Sequence, residues 1–435
     1  MERKSDIANG IIIPLITTII VVMDQFFMVK LPGIITIAIV ASLFVFIPKK
    51  YYLSSMSFMI LFDTWISLYI IFPLVVFLYV FRFNFSIKSR LNINCLIPLV
   101  LFEVLCLFVV LYEDLNVIVF LKGFIYSLSF IYIFSIEVSE EEVKSITKWF
   151  IYSFIITIII TLAIVLKTIS ITQLIKSYRL GYTTLMYILP SYSIIPNENR
   201  ISRYAVLFFN VCFIAAENKI ISKKSYTVFQ IFSILVILLT QSRTGLFLLL
   251  LSYLFMIYAY RNDFLKQIKL ISFIALGTLF AYIIVLKYYP NLINTIMKRF
   301  DTNDMSNGRN DIFNIVHGIW QSESRWILFG FGDQLCWERF SIVPHNAYQA
   351  YVVYYGIVGA TFFAFFLLFY MFNTATSLKN RMGRKVPLQY WIPILMWLIG
   401  EVGGAPNLLQ TFFIISFLNL FVIEEMAKNR KTEVM

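Results

Sequence analysis

The sequence predicts an all-α, polytopic integral membrane protein with about 12–14 transmembrane helices. Three observations carry this. Hydrophobic residues make up 60% of the 435 and charged residues only 14%, against about 45–50% and about 25% in a soluble domain. Mean hydropathy is +0.81. The apolar residues also fall in long runs, many near the roughly 20 residues that cross a hydrocarbon core. An ordinary soluble enzyme, a disordered tail and a secreted disulfide scaffold are excluded.

The elements follow in order. Met1-Glu2-Arg3-Lys4 precedes an apolar run over 10–29, with no small-residue cleavage site after it, so this reads as an uncleaved first span. Runs at 31–47, 53–81, 91–111, 115–136 and 149–167 complete an N-terminal membrane region, 1–167. Lys49/Lys50 and Arg82/Lys88/Arg90 both belong on the cytoplasmic side by the positive-inside rule, yet one run of about 29 residues separates them. The run at 53–81 is therefore expected to be two short helices turning near Asp63 or Pro73, giving 14 spans with both termini inside. Twelve is the alternative.

A first large extracytoplasmic loop is expected at 168–201, and central spans at 202–217, 225–241, 244–260 and 270–287. A second large outer loop runs over 288–348, and spans at 349–372, 388–404 and 408–424 lead to a cytoplasmic tail within 349–435. The clusters Lys219/Lys223/Lys224, Arg261/Lys266/Lys269 and Lys379/Arg381/Arg384/Lys385 all fall on the inner side in this scheme. The same rule accounts for the net charge of +12, so nucleic acid is not inferred as a partner. Of the four cysteines, Cys95, Cys106 and Cys212 lie in apolar runs, and no CxxC pair exists. Neither a disulfide framework nor a zinc site is expected.

Chemistry-bearing residues concentrate on the outer side. Arg179, Arg203, Arg243 and Arg309 run against the positive-inside bias, and an arginine at a membrane mouth is costly without a partner or a task. Arg243 stands in Gln241-Ser242-Arg243-Thr244-Gly245, at a turn with almost no loop. Its planar fork suits bidentate phosphate recognition; snorkelling to lipid phosphates is the plainer reading. His345, in Pro344-His345-Asn346-Ala347-Tyr348, is placed for proton transfer at the mouth of a span, or caps a helix there. His317 lies in an amphipathic pattern and reads as an ordinary helix histidine. Glu401 sits in a broken stretch, Gly400 to Pro406, near the outer face. P-loop, dinucleotide and HExxH signatures are absent. The first outer turn, near Lys30, holds no acid, where metal-dependent multi-span transferases usually carry an acidic pair.

The ordered set Ser242-Arg243-Thr244-Gly245, Gly308-Arg309, Leu328-Phe329-Gly330-Phe331-Gly332, Pro344-His345-Asn346 and Gly356-Ile357-Val358-Gly359 resembles the Wzy-type O-antigen polymerase and O-antigen ligase superfamily. Arg179-Leu180-Gly181 with Pro196-Asn197 resembles that family's earlier outer loop more loosely. The resemblance covers roughly 170–370. It implies a GT-C-like, metal-independent glycosyltransferase without a cofactor, working on undecaprenyl-pyrophosphate-linked oligosaccharides at the outer face of the bacterial inner (plasma) membrane. It also implies a chain-length regulator and a flippase as partners. In it His345, Arg243 and Arg309 are expected to be catalytic, and Arg179, Arg203, Asn346, Tyr348 and Glu401 to bind substrate. Two large outer loops favour a polymerase of O-antigen or capsular repeat units. The alternatives are a ligase onto lipid A-core or a lipid-linked oligosaccharide flippase, although no internal repeat of the transporter kind is visible.

Overall fold

A computed structural model describes residues 2–66, 68–83, 93–113, 115–118, 120–121, 124–125, 128–129, 139–191, 193–217, 219–288, 309–332, 335–336 and 347–382. These residues are helical and carry no strand. In chain order the helices are α1 (Glu2–Phe27), α2 (Gly33–Phe46), α3 (Lys49–Met59), α4 (Leu68–Phe83), α5 (Ile93–Tyr112) and α6 (Glu140–Leu166). Two short ones follow, α7 (Ile171–Ser177) and α8 (Tyr182–Leu185), then α9 (Glu198–Glu217), α10 (Lys223–Thr240), α11 (Arg243–Ala259) and α12 (Phe264–Tyr288). The last are α13 (Arg309–Ser322), α14 (Arg325–Phe329) and α15 (Ala347–Met382).

Both the interior and the outer surface of the bundle are largely apolar. Apolar side chains point outward at helical spacing: Ile97, Val100 and Val104 on α5, and Val228, Ile231 and Leu235 on α10. Small polar groups are buried between helices and bond to neighbouring backbones. Ser57 Oγ donates to the Ile146 carbonyl, Ser153 Oγ to that of Phe58 and Ser233 Oγ to that of Ala205. Asn210 reaches Ser252 across α9 and α11 at 3.0 Å. Such bonds are the glue of helices that have lipid outside and no hydrophobic drive toward one another. The protein is thus an all-α membrane protein. Among the described residues three helical stretches, Gly10–Phe27, Glu141–Leu166 and Lys223–Thr240, are long and apolar enough to cross a bilayer, and five shorter apolar helices accompany them.

Three features depart from or sharpen a simple count of spans. The run at 53–81 is a hairpin: α3 and a 3₁₀ turn (Ile60–Phe62) lead to a bend at Asp63 before α4 returns. Arg82, at the end of α4, donates to the carbonyls of Phe44 and Ile47 (2.9 and 2.8 Å), bringing it back beside Lys49. Next, α9 is buried along nearly its whole length. It is the centre of the bundle, packed against α6, α10 and α11. Last, the expected span at 349–372 is broken. Gly356 has φ 63 and ψ −173, and Tyr351 stacks on Phe363 at 4.0 Å, so the arm 347–355 folds back along the helix that follows. Side chains twelve residues apart would lie about 18 Å apart along a continuous helix. The spans expected at 388–404 and 408–424 lie outside the described residues.

Candidate functional site

Two faces close the bundle. One collects Lys49, Lys50, Arg82, Lys223, Lys224 and Lys266 at helix ends. The opposite face gathers the end of α1, the Asp63 bend, the segment 167–200 and the α10–α11 turn through long-range hydrogen bonds.

The segment 167–200 is fastened at several points. Lys167 Nζ reaches the carbonyls of Gln25 and Phe26. Gln25 Oε1 accepts from Ile194 N at 2.8 Å, and Trp65 Nε1 donates to the Ile194 carbonyl at 2.7 Å. Arg200 Nη1 pairs with Asp63 Oδ2 at 3.0 Å. Burial pushes the Asp63 carboxyl above the ordinary carboxylate range, and the Arg200 guanidinium pulls against that. The two loop motifs singled out in the sequence meet here: Tyr182 N, just after Gly181, donates to the Pro196 carbonyl at 3.0 Å.

That segment in turn holds the Ser-Arg-Thr-Gly turn. Gln241 ends α10 in the left-handed region at φ 48, and Ser242 caps α11 by accepting from Gly245 N. Arg243 is therefore the first residue of α11. Gly245 is set by packing: a Cβ there would come within 2.7 Å of the Ser202 Cβ on α9. Leu180 N donates to the Leu239 carbonyl and Arg179 Nε to the Thr240 carbonyl, both at 2.9 Å. Arg179 Nη1 also pairs with Glu198 at 3.0 Å, and Glu198 accepts from the Thr183 backbone amide and hydroxyl at the start of α8. Ser242 Oγ donates to Asn199 Oδ1 at 2.9 Å, while the Asn199 carbonyl accepts from Arg203 Nε at 3.1 Å.

Of the residues singled out in the sequence, the structure brings Arg179, Arg203 and Arg243 to this one face. Arg203 is buried and Arg243 half-buried. Arg309 opens α13 and Tyr348 lies in the first turn of α15; their side chains are outside the description. His345, Asn346 and Glu401 lie outside the described residues. His317 is exposed on α13. Sequence reasoning passed over Glu198 and Asn199 as partners of Arg179 and Arg203, and Asp63 as the partner of Arg200. The signal for Glu198 and Asn199 was present: they share the Pro196-Asn197-Glu198-Asn199-Arg200 run with the loop motif.

Chemically, the α10–α11 turn offers a cation beside the start of a helix. The first intrahelical bond to the cap is Leu246 N to Ser242 O, so the amides of Arg243 and Thr244 precede it. Helix starts of this kind favour anions through both their amides and the helix dipole.

Residues 228–364 match the family model described as O-antigen ligase, about a third of the chain. The matched stretch includes Arg243, Arg309, His345, Asn346 and Tyr348, and excludes Arg179, Arg203 and Glu401. No curated protein matches the chain. The protein is an all-α membrane protein with an O-antigen ligase-like domain. That match supports the superfamily that assembles O-antigen-type polysaccharide and does not separate its ligases from its polymerases.

Proposed function

We propose that this protein polymerises undecaprenyl-pyrophosphate-linked oligosaccharide repeat units, of O-antigen or capsule, on the outer face of the bacterial inner membrane, with both its termini cytoplasmic. In each cycle the bond between the donor's reducing-end sugar and the pyrophosphate breaks. A hydroxyl of the acceptor unit takes the glycan, and the lipid pyrophosphate leaves as an anion. Arg243 and Arg309 stabilise the charge growing on that leaving group. His345 takes the hydroxyl proton. Arg179, Arg203, Asn346, Tyr348 and Glu401 hold the substrates. A flippase supplies the lipid-linked units and a chain-length regulator limits the product.

The observation that carries this reading is Arg243 at the first position of α11, on the face opposite the lysine clusters. A helix start favours an anion, and the planar guanidinium of Arg243 adds bidentate donors beside it, which suits a pyrophosphate ligand. The 168–201 segment, folded onto the same face, supports a polymerase with two substantial outer loops. The reaction is proposed to need no divalent metal, because the first outer turn lacks an acidic pair. Polymerisation of purified lipid-linked units is expected to survive excess EDTA; loss restored by Mg²⁺ or Mn²⁺ would refute this. A second reading, ligation onto lipid A-core, is favoured by the description of the matching family. A deletion strain separates them: one repeat unit on the core identifies a polymerase, bare core a ligase.

A further inference from the structure

A second polar site is built from other elements, where α5 ends against α14. Phe108, Tyr112, Glu113, Arg325, Trp326 and Phe329 are among the residues that line a cleft of about 190 Å³ there. That is smaller than the ~300–1,000 Å³ that takes a drug-sized ligand, and it suits one ring. Phe108 and Tyr112 are stacked at 5.7 Å, Phe329 meets Phe108 edge-on at 6.0 Å, and the Arg325 guanidinium lies over the Tyr112 ring at 5.2 Å; all three rings keep an exposed edge or face. Beside this aromatic platform Glu113 accepts from the buried Trp326 indole at 3.2 Å, and its carboxylate is 12% exposed.

The charge of the cleft decides what it takes. Arg325 donates to Tyr112 Oη and Glu323 at 2.9 Å each and lies 3.5 Å from Glu113. Among the described residues one guanidinium thus faces two carboxylates, and their balance is acidic. A pyrophosphate would meet repulsion here. A sugar would not: the C–H face of a pyranose packs on aromatic rings, and its hydroxyls donate to carboxylate oxygens, which accept only.

We propose that this cleft binds one neutral or amino-bearing sugar ring of the acceptor glycan, apart from the arginines that take the donor's pyrophosphate. The acceptor role rests on the glycan-transfer reading; sugar binding itself rests on the cleft.

The test is saturation-transfer NMR on the full chain in lipid nanodiscs, free of maltoside detergents whose heads would compete. The probes are methyl glucoside, methyl N-acetylglucosaminide, methyl galactosaminide and, as the rival, geranyl phosphate. At least one glycoside is expected to receive saturation at its ring protons. Tyr112→Ala should weaken its apparent affinity by roughly fivefold, the worth of one aromatic contact. Tyr112→Phe, which keeps the ring, should bind as the wild type does. Glu113→Gln should also weaken binding, and Arg243→Ala should leave it unchanged. No glycoside signal, or equal signal in Tyr112→Ala, overturns the proposal. So does geranyl phosphate displacing the glycoside in a Tyr112-dependent way, which would make the cleft a lipid groove. Because no turnover is read, a glycan phenotype that refutes transfer leaves this measurement standing, and the reverse also holds.

Discussion

The two ends of the helical bundle hold most of their cations differently. At the lysine-rich end, apart from Arg82 on the Phe44 and Ile47 carbonyls, the charges are exposed and lean on aromatic rings. Lys50 lies 5.0 Å from the Tyr51 ring, Arg261 4.4 Å from Tyr258 and Lys266 5.5 Å from Tyr260. The ion pair Lys266–Asp263 is roughly half exposed on both sides. At the other end Arg179, Arg200 and Arg203 are drawn inward onto carboxylates and carbonyls. Even aspartate behaves differently: burial raises the Asp63 carboxyl, whereas the backbone amide of Lys266, first among its causes, holds Asp263 low. Positive charge at the first end serves orientation in a bilayer, a property of the sum. At the second end it is structural detail, and single residues matter.

Four predictions test that contrast, from the largest effect down. His345→Ala should cut the polymerisation rate by roughly 10²–10⁴, the usual worth of a general base. Donor binding should change little and His317→Ala should be near neutral. Wild-type activity should fall as pH drops through about 6.5, the ordinary imidazole value. Full turnover in His345→Ala would show that this histidine only caps its helix.

Arg243→Ala should remove long chains from the glycan ladder while the protein stays in the membrane, and Arg243→Lys should remain impaired because the fork is lost. Normal chain length in both would reduce Arg243 to a snorkelling side chain.

Arg200→Ala leaves the Asp63 carboxylate buried without its ion pair. A loss of about 1–3 kcal/mol is expected, read as a lower melting midpoint and faster proteolysis within 168–200. Adding Asp63→Asn should recover part of it; no recovery would mean that the pair does not fasten the segment. Smallest of all, Lys266→Ala should leave melting and chain length as they were, since an exposed pair contributes little. A clear loss there would erase the distinction between the two ends.

Much of this was legible in sequence because it is local or cumulative. The conflict between Lys49/Lys50 and the 82–90 cluster forecast a turn near Asp63 or Pro73, and the structure places it at Asp63, with Pro73 inside α4. The Ser-Arg-Thr-Gly stretch read as a turn with almost no loop, and α10 and α11 do meet there, with Ser242 as the cap. What stayed hidden joins distant residues or leaves hydropathy unchanged. Asp63 finds Arg200, and Glu113 finds Arg325, only after the helices have packed. The break at Gly356 falls in a continuous apolar run, where a hydropathy window reads one span. The burial of α9 is likewise invisible locally, because a lipid-facing and a protein-facing helix need similar residues.

The Gly356 break has a mechanical consequence. Gly330 and Gly356 both adopt positive φ, and each is pressed against the other segment's backbone: Gly330 against Tyr354 and Gly356 against Leu328. Phe331 N adds a bond to the Val353 carbonyl. A Cβ on either glycine would pry the same joint apart, so the two positions form a single lock with two keyholes. The helix that carries Arg325 and the arm that carries Tyr348 are therefore fixed to each other at this one joint.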